Sequence, residues 1–180
     1  MYDVLVLAGG SARRMGGVDK PALTVGDRTL LDRVLDAVPA EAGVVVVGPE
    51  RPTARPVRWV REDPPGAGPV AAVRAGLPLV TADLVVLLAG DLPFLRPDVL
   101  QQLVDAVVSD GALLVDDTGR DQYLCSAWRT GALRSADLGA DRLGRLLGPL
   151  DAVRLTAAGY PPPWTDCDTE DDLREARARA

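Results

Sequence analysis

The residues best able to do chemistry lie near the start of the chain, in Leu5-Val6-Leu7-Ala8-Gly9-Gly10-Ser11-Ala12-Arg13-Arg14-Met15-Gly16-Gly17-Val18-Asp19-Lys20. Val4 to Leu7 is a short, continuous apolar run, the pattern of a strand buried on both faces, and it passes directly into two glycines and a cationic loop. Glycine lets the backbone reach positive φ and brings N–H groups close to a phosphate, while Arg13, Arg14 and Lys20 supply charge-assisted donors. Lys20 is the one lysine among 20 cationic side chains. A compact ammonium acts as a point charge on phosphate, and a guanidinium does not replace it. The alternative is a glycine-rich surface turn whose lysine meets no ligand. Neither the Walker A spacing nor the dinucleotide fingerprint occurs between Gly9 and Lys20, which argues against an ATPase or a dehydrogenase.

Three carboxylate groups could oppose this cationic loop. Asp91 follows the apolar run Leu84 to Leu88, and Pro93 biases Leu92 toward an extended conformation that would aim the turn outward. A metal ligand is the favoured role for Asp91, because Asp98 is the better candidate to cap the following helix. Glu62-Asp63 precedes the irregular stretch Pro64-Pro65-Gly66-Ala67-Gly68-Pro69, where Asp63 is either a ligand contact or a turn residue bonded to its own backbone. Asp166 and Asp168 precede Thr169-Glu170-Asp171-Asp172, so they are either ligands or acidic residues placed favourably near a helix N-terminus.

The sequence contains no histidine. That excludes Ser-His-Asp and Cys-His catalysis, an imidazole base and a His-based zinc centre. Any metal would be held through oxygen, which favours Mg²⁺. Cys125 and Cys167 form no Cys-x-x-Cys pair and are expected to be inert thiols.

The elements that must position these residues alternate along the chain. Predicted strands are Val4–Leu7, Gly43–Gly48, Val57–Arg61, Leu84–Leu88, Ala112–Val115, Gln122–Trp128 and Ala152–Leu155. Helical spacing appears in Leu30–Val38, after Pro69, after Pro97, in Gly131–Leu138 and Arg142–Leu147, and behind a Thr169–Asp172 capping box. This alternation predicts a mostly parallel sheet covered on both faces, with a binding crevice at the strands' C-terminal ends. A length of 180 residues suits one domain spanning residues 1–180. The net charge of -6 argues against a nucleic-acid surface, and no apolar run is long enough to span a membrane. The first residues carry no basic leader pattern, so a cytoplasmic protein is expected.

The N-terminal stretch also resembles the Leu-Ala-Gly-Gly signature, ending in Arg-Met-Gly and a lysine, of the nucleotidyltransferase superfamily. Its form Ala-Arg-Arg-Met-Gly-Gly-Val-Asp-Lys is similar to that of molybdenum cofactor guanylyltransferases. The resemblance implies a three-layer α/β/α Rossmann-like fold with a mostly parallel mixed sheet. It also implies GTP as donor, molybdopterin as acceptor, Mg²⁺ as the metal and a guanine dinucleotide as product. Carried over by position, Leu7, Ala8, Gly9, Gly10, Lys20, Gly48, Asp63, Gly68 and Asp91 would surround the nucleotide. Arg13, Lys20 and Asp91 would be catalytic, with Asp91 on the metal and Asp168 as its second ligand. Several positions depart from the family pattern: Gly48 stands where a base-contacting Asn can occur, Ala72 replaces a glycine, and Asp166 and Asp168 replace asparagines. Gln122-Tyr123 replaces a His-Pro found in some members in the region lining the pterin pocket. Alternatives left open are a cytidylyltransferase for molybdopterin, a guanylyltransferase for another phosphorylated small molecule, and a non-catalytic nucleotide-binding module. A monomer is expected.

Overall fold

The computed structural model describes residues 1–9, 19–157 and 159–179. Apolar strands with no polar face must be covered on both sides, and the chain meets this by laying its helices on the two faces of one sheet. The strands are β1 (Asp3–Leu7), the short pair β2 (Thr24–Val25) and β3 (Arg28–Thr29), β4 (Gly43–Val47), β5 (Arg58–Val60), β6 (Leu84–Ala89), β7 (Gly111–Val115), β8 (Asp121–Arg129) and β9 (Ala152–Leu155). The helices are α1 (Leu30–Asp36), α2 (Pro69–Gly76), α3 (Pro97–Asp105), α4 (Thr130–Ser135), α5 (Leu143–Leu147) and α6 (Glu170–Ala178). Seven strands form a sheet in the order β5-β4-β1-β6-β8-β7-β9, and β2 and β3 form a separate hairpin. Within the sheet only β8 is antiparallel to its neighbours.

The two-residue alternation of β1 divides the core. Val4 and Val6 face a cluster containing Leu31, Val34 and Leu35 of α1 and Val99, Leu100 and Leu103 of α3. Leu5 and Leu7 face the other cluster, with Val70 and Val73 of α2, Leu133 of α4 and Leu146 and Leu147 of α5. The result is the expected three-layer, mostly parallel α/β/α fold. A third cluster packs Leu173 and Ala176 of α6 and Cys167 against Val25 of the hairpin and Leu30. No helix among the described residues is long and apolar enough to cross a membrane. Both cysteines are free and buried, and burial pushes each thiol up to about 12, where it is inert.

The termini of the elements follow local chemistry. Pro69 and Pro97 each occupy the first turn of their helix, where the missing N–H has no partner to lose. Thr169 caps α6 by accepting from the Asp172 amide, and the Asp172 carboxylate accepts from the Thr169 amide at 2.7 Å. The expected cap on α3 differs: Arg96 is its N-cap residue, and Asp98 lies inside the first turn, paired with Arg96 at 3.0 Å.

Candidate active site

Register places the crevice. Leu7 is level with Val47 of β4 and with Ala89 of β6, so three parallel strands end side by side and their following loops meet. The meeting is close. The Ala8 amide donates to Val47 at 2.8 Å, and the Gly90 amide donates to Leu7 at 2.9 Å. A Cβ at Gly48, where φ is +150°, would lie 2.7 Å from the Ala8 carbonyl oxygen. Gly48 therefore contributes closeness, and an asparagine there would force the β1 and β4 loops apart.

A cleft of about 350 Å³ opens at this point, lined by Leu7 at the end of β1 and Gly9 after it, Lys20 and Pro21, Glu62, Gly66 and Gly68 before α2, Gly90 and Asp91 after β6, and Asp166. Lys20 opens a short 3-10 turn, Lys20–Ala22, and its side chain is 14% exposed. Its ammonium pairs with Asp168 at 2.5 Å. Half-buried Asp91 faces the same charges. Burial, aided by the neighbouring Asp166, raises its carboxyl to about 6, while Lys20 opposes the shift and Asp168 adds to it. Asp166 is also raised, by partial desolvation and by Asp168. Among the described residues Lys20 thus faces the carboxylates of Asp91, Asp166 and Asp168, an oxygen-only donor set of the kind a hard divalent cation takes.

Among the described residues no three metal-type side chains already stand as a ligand group. A second cavity of about 690 Å³ adjoins the first through Ala89, Leu124 and Asp166, and is walled by Arg120, Tyr123 and Trp164 among others.

The structure therefore brings Leu7, Gly9, Lys20, Gly68 and Asp91 to one cleft. It places Ala8 and Gly48 just beneath, and Asp168 against Lys20. Gly10 and Arg13 lie outside the described residues. Asp63 is exposed and does not line the cleft; its neighbour Glu62, 6% exposed, does. The two are adjacent in sequence, and only the path of the chain after β5 decides which side chain turns inward. Arg51 had no motif to mark it. Its guanidinium is buried, donates from both terminal nitrogens to the Ala8 carbonyl at 3.3 Å, pairs with Asp19 at 2.9 Å and lies 5.8 Å over the Trp59 ring. Arg51 thereby ties the residue before Gly9 to the residue before Lys20. Burial lowers its guanidinium, and Asp19 works against that shift.

A mostly parallel sheet whose strand-end loops present a lysine opposite carboxylates is the arrangement expected of an α/β nucleotidyltransferase. Comparison with known proteins agrees: residues 4–154 match the MobA-like NTP transferase domain. A molybdenum cofactor guanylyltransferase from Bradyrhizobium sp. (strain ORS 278) is 31% identical over 98% of this chain and 92% of its own. The chain belongs to the MobA-like NTP transferase family and is a nucleotidyltransferase. Among solved structures, a molybdopterin-guanine dinucleotide biosynthesis protein A from Archaeoglobus fulgidus superposes with a TM-score of 0.76 at 22% identity, covering 98% of this chain and 97% of its own. A 2-C-methyl-D-erythritol 4-phosphate cytidylyltransferase from Thermus thermophilus superposes at 0.74 and 20% identity, covering 99% and 98%. Both share the fold.

Proposed function

We propose that this protein transfers GMP from GTP to molybdopterin, releasing pyrophosphate and forming a guanine dinucleotide cofactor. The observation that carries the reading is the convergence of Lys20, Asp91 and Asp166 on one cleft beside a second cavity able to hold the acceptor. The guanylyltransferase name of the Bradyrhizobium relative supports the choice of donor and acceptor.

The acceptor's phosphate attacks the α-phosphorus of the triphosphate in line, a new P–O bond forms, the α–β bridge breaks, and pyrophosphate leaves with the electron pair. A phosphate nucleophile is already anionic, so the histidine-free site needs no general base. Lys20, released from Asp168 by the entering triphosphate, neutralises charge on the phosphates. Asp91, with Asp168 or Asp166, would hold Mg²⁺, which supplies charge neutralisation on the triphosphate. The rate then comes from positioning and electrostatics. The second cavity orients the acceptor, with Trp164 as an aromatic wall and Arg120 as an anion contact. We assign the whole of residues 1–180 to this one catalytic domain.

The test is to incubate the purified chain with GTP, Mg²⁺ and molybdopterin and to measure pyrophosphate release together with the dinucleotide product. Lys20→Ala is expected to lower turnover roughly 10²–10³-fold with an unchanged circular dichroism spectrum. Absence of GTP-dependent pyrophosphate release by the wild-type protein, or near-normal activity of Lys20→Ala, would overturn the assignment.

A further inference from the structure

We infer that Glu62 reads the Watson–Crick edge of the nucleobase and selects guanine. The inference rests on the nucleotidyl-transfer reading above and adds to it the residue that chooses the base. Glu62 is 6% exposed, and its Oε1 accepts from the Gly66 amide at 2.9 Å. Among the described residues its Oε2 is buried without a hydrogen-bond partner, although the residue lines the nucleotide cleft. Buried polar atoms are nearly always satisfied, so an orphaned carboxylate oxygen on a cleft wall marks a ligand contact. Glycines border it on the cleft side. A Cβ at Gly9 would lie 3.3 and 3.5 Å from the two carboxylate oxygens and would shield them, while Gly66 and Gly68, at φ +79° and +98°, add no side chain to the approach. Gly48 offers no side chain that could read the base instead.

The carboxylate accepts and cannot donate, which fixes the base it fits. Guanine presents two adjacent donors, N1–H and the 2-amino group, and both meet acceptors at Glu62. Adenine and cytosine each present one amino donor beside a ring-nitrogen acceptor, and uracil presents one N–H between two carbonyls. Each would set an acceptor against the carboxylate. Oε1 is already oriented by Gly66, so Oε2 is left to face the 2-amino group.

The same geometry predicts a switch. In Glu62→Gln the Gly66 amide keeps the side-chain oxygen on its side, so the amide nitrogen replaces Oε2 and donates toward the 2-position of the base. Xanthine, which carries a carbonyl there, becomes the matching purine. The experiment is equilibrium binding of GTP, ITP, XTP, ATP and CTP, each with Mg²⁺, to the full chain and to Glu62→Gln. The wild-type protein should bind GTP roughly 10–100-fold more tightly than ITP, which lacks only the 2-amino group. Glu62→Gln should lose that margin and gain affinity for XTP, a gain that misfolding cannot produce. Unchanged GTP binding in Glu62→Gln, or an equal loss for every triphosphate as a ribose contact would give, overturns this inference alone. Preferential binding of CTP by the wild-type protein overturns the guanine assignment. Failure of the wild-type protein to bind any triphosphate overturns the nucleotidyl-transfer reading as well.

Discussion

Asp91 carries the sharpest conflict between stability and function at the level of single residues. Its carboxyl is raised from 3.8 to about 6, chiefly by burial. The folded state therefore binds more protons than the unfolded state between pH about 4 and 6, and stability falls as pH rises through that window. Asp166 shifts in the same direction. Asp98 and Asp116, held low by hydrogen bonds from their neighbours, lose their favourable contribution only at lower pH. Asp91→Asn should accordingly stabilise the metal-free protein at pH 7 by about 2 kcal/mol, with the gain vanishing by pH 4. It should also lower turnover roughly 10³-fold if the carboxylate holds the metal. Urea titrations across pH 4–8 beside a pyrophosphate assay check both halves; a destabilised, active variant would contradict the placement of this side chain.

At the scale of elements, the site depends on ties between loops whose sequences are far apart. Arg51 joins Ala8 after β1 to Asp19 before Lys20, with its guanidinium over the ring of Trp59 of β5. Arg51→Ala is expected to destabilise the fold by about 2–3 kcal/mol, since it leaves a buried carbonyl and Asp19 without their charged donor. It should also raise the KM for the nucleotide more than it lowers kcat, because Lys20 would lose its fixed position. Arg51→Lys should recover part of the stability and little of the KM, since an ammonium cannot fork onto the carbonyl and the carboxylate together. Steady-state kinetics on both variants distinguish this from a uniform loss of folded protein.

For the molecule as a whole, one sheet supports both cavities, so packing far from the chemistry reaches the site. Trp128 of β8 is fully buried, and its indole N–H donates to Ser126 at 2.7 Å, whose hydroxyl in turn donates to the Tyr123 carbonyl at 2.6 Å. Trp128→Ala should cost about 3–5 kcal/mol and is measurable by chemical denaturation. Ligand binding acts in the opposite direction. GTP with Mg²⁺ at 100 times its dissociation constant should stabilise the chain by about 2.7 kcal/mol and raise Tm by roughly 5–10 °C. Addition of a chelator should remove most of that shift, because the triphosphate would then face Asp91 and Asp166 without a compensating cation.

Much of the architecture was legible in the residues themselves. The apolar runs at Val4–Leu7, Gly43–Val47 and Leu84–Leu88 are too uniformly hydrophobic to face water, and periodicity is a local property that needs no partner to be read. Pro69, Pro97 and the Thr169–Asp172 box marked helix starts for the same reason: each acts within one turn. Lys20 and Asp91 stood out because a lone lysine and a carboxylate at a strand end are unusual in place as well as type. Tertiary structure decided what depends on distance in space. Only the register of β1 between β4 and β6 brings Gly48 against Ala8, and only the turn after β5 sends Glu62 inward while Asp63 faces solvent. Lys20 and Asp168 lie at opposite ends of the chain and meet because α6 folds back onto the β2–β3 hairpin. Charge pairing and side-chain direction across such separations arise from packing, and no local pattern encodes them.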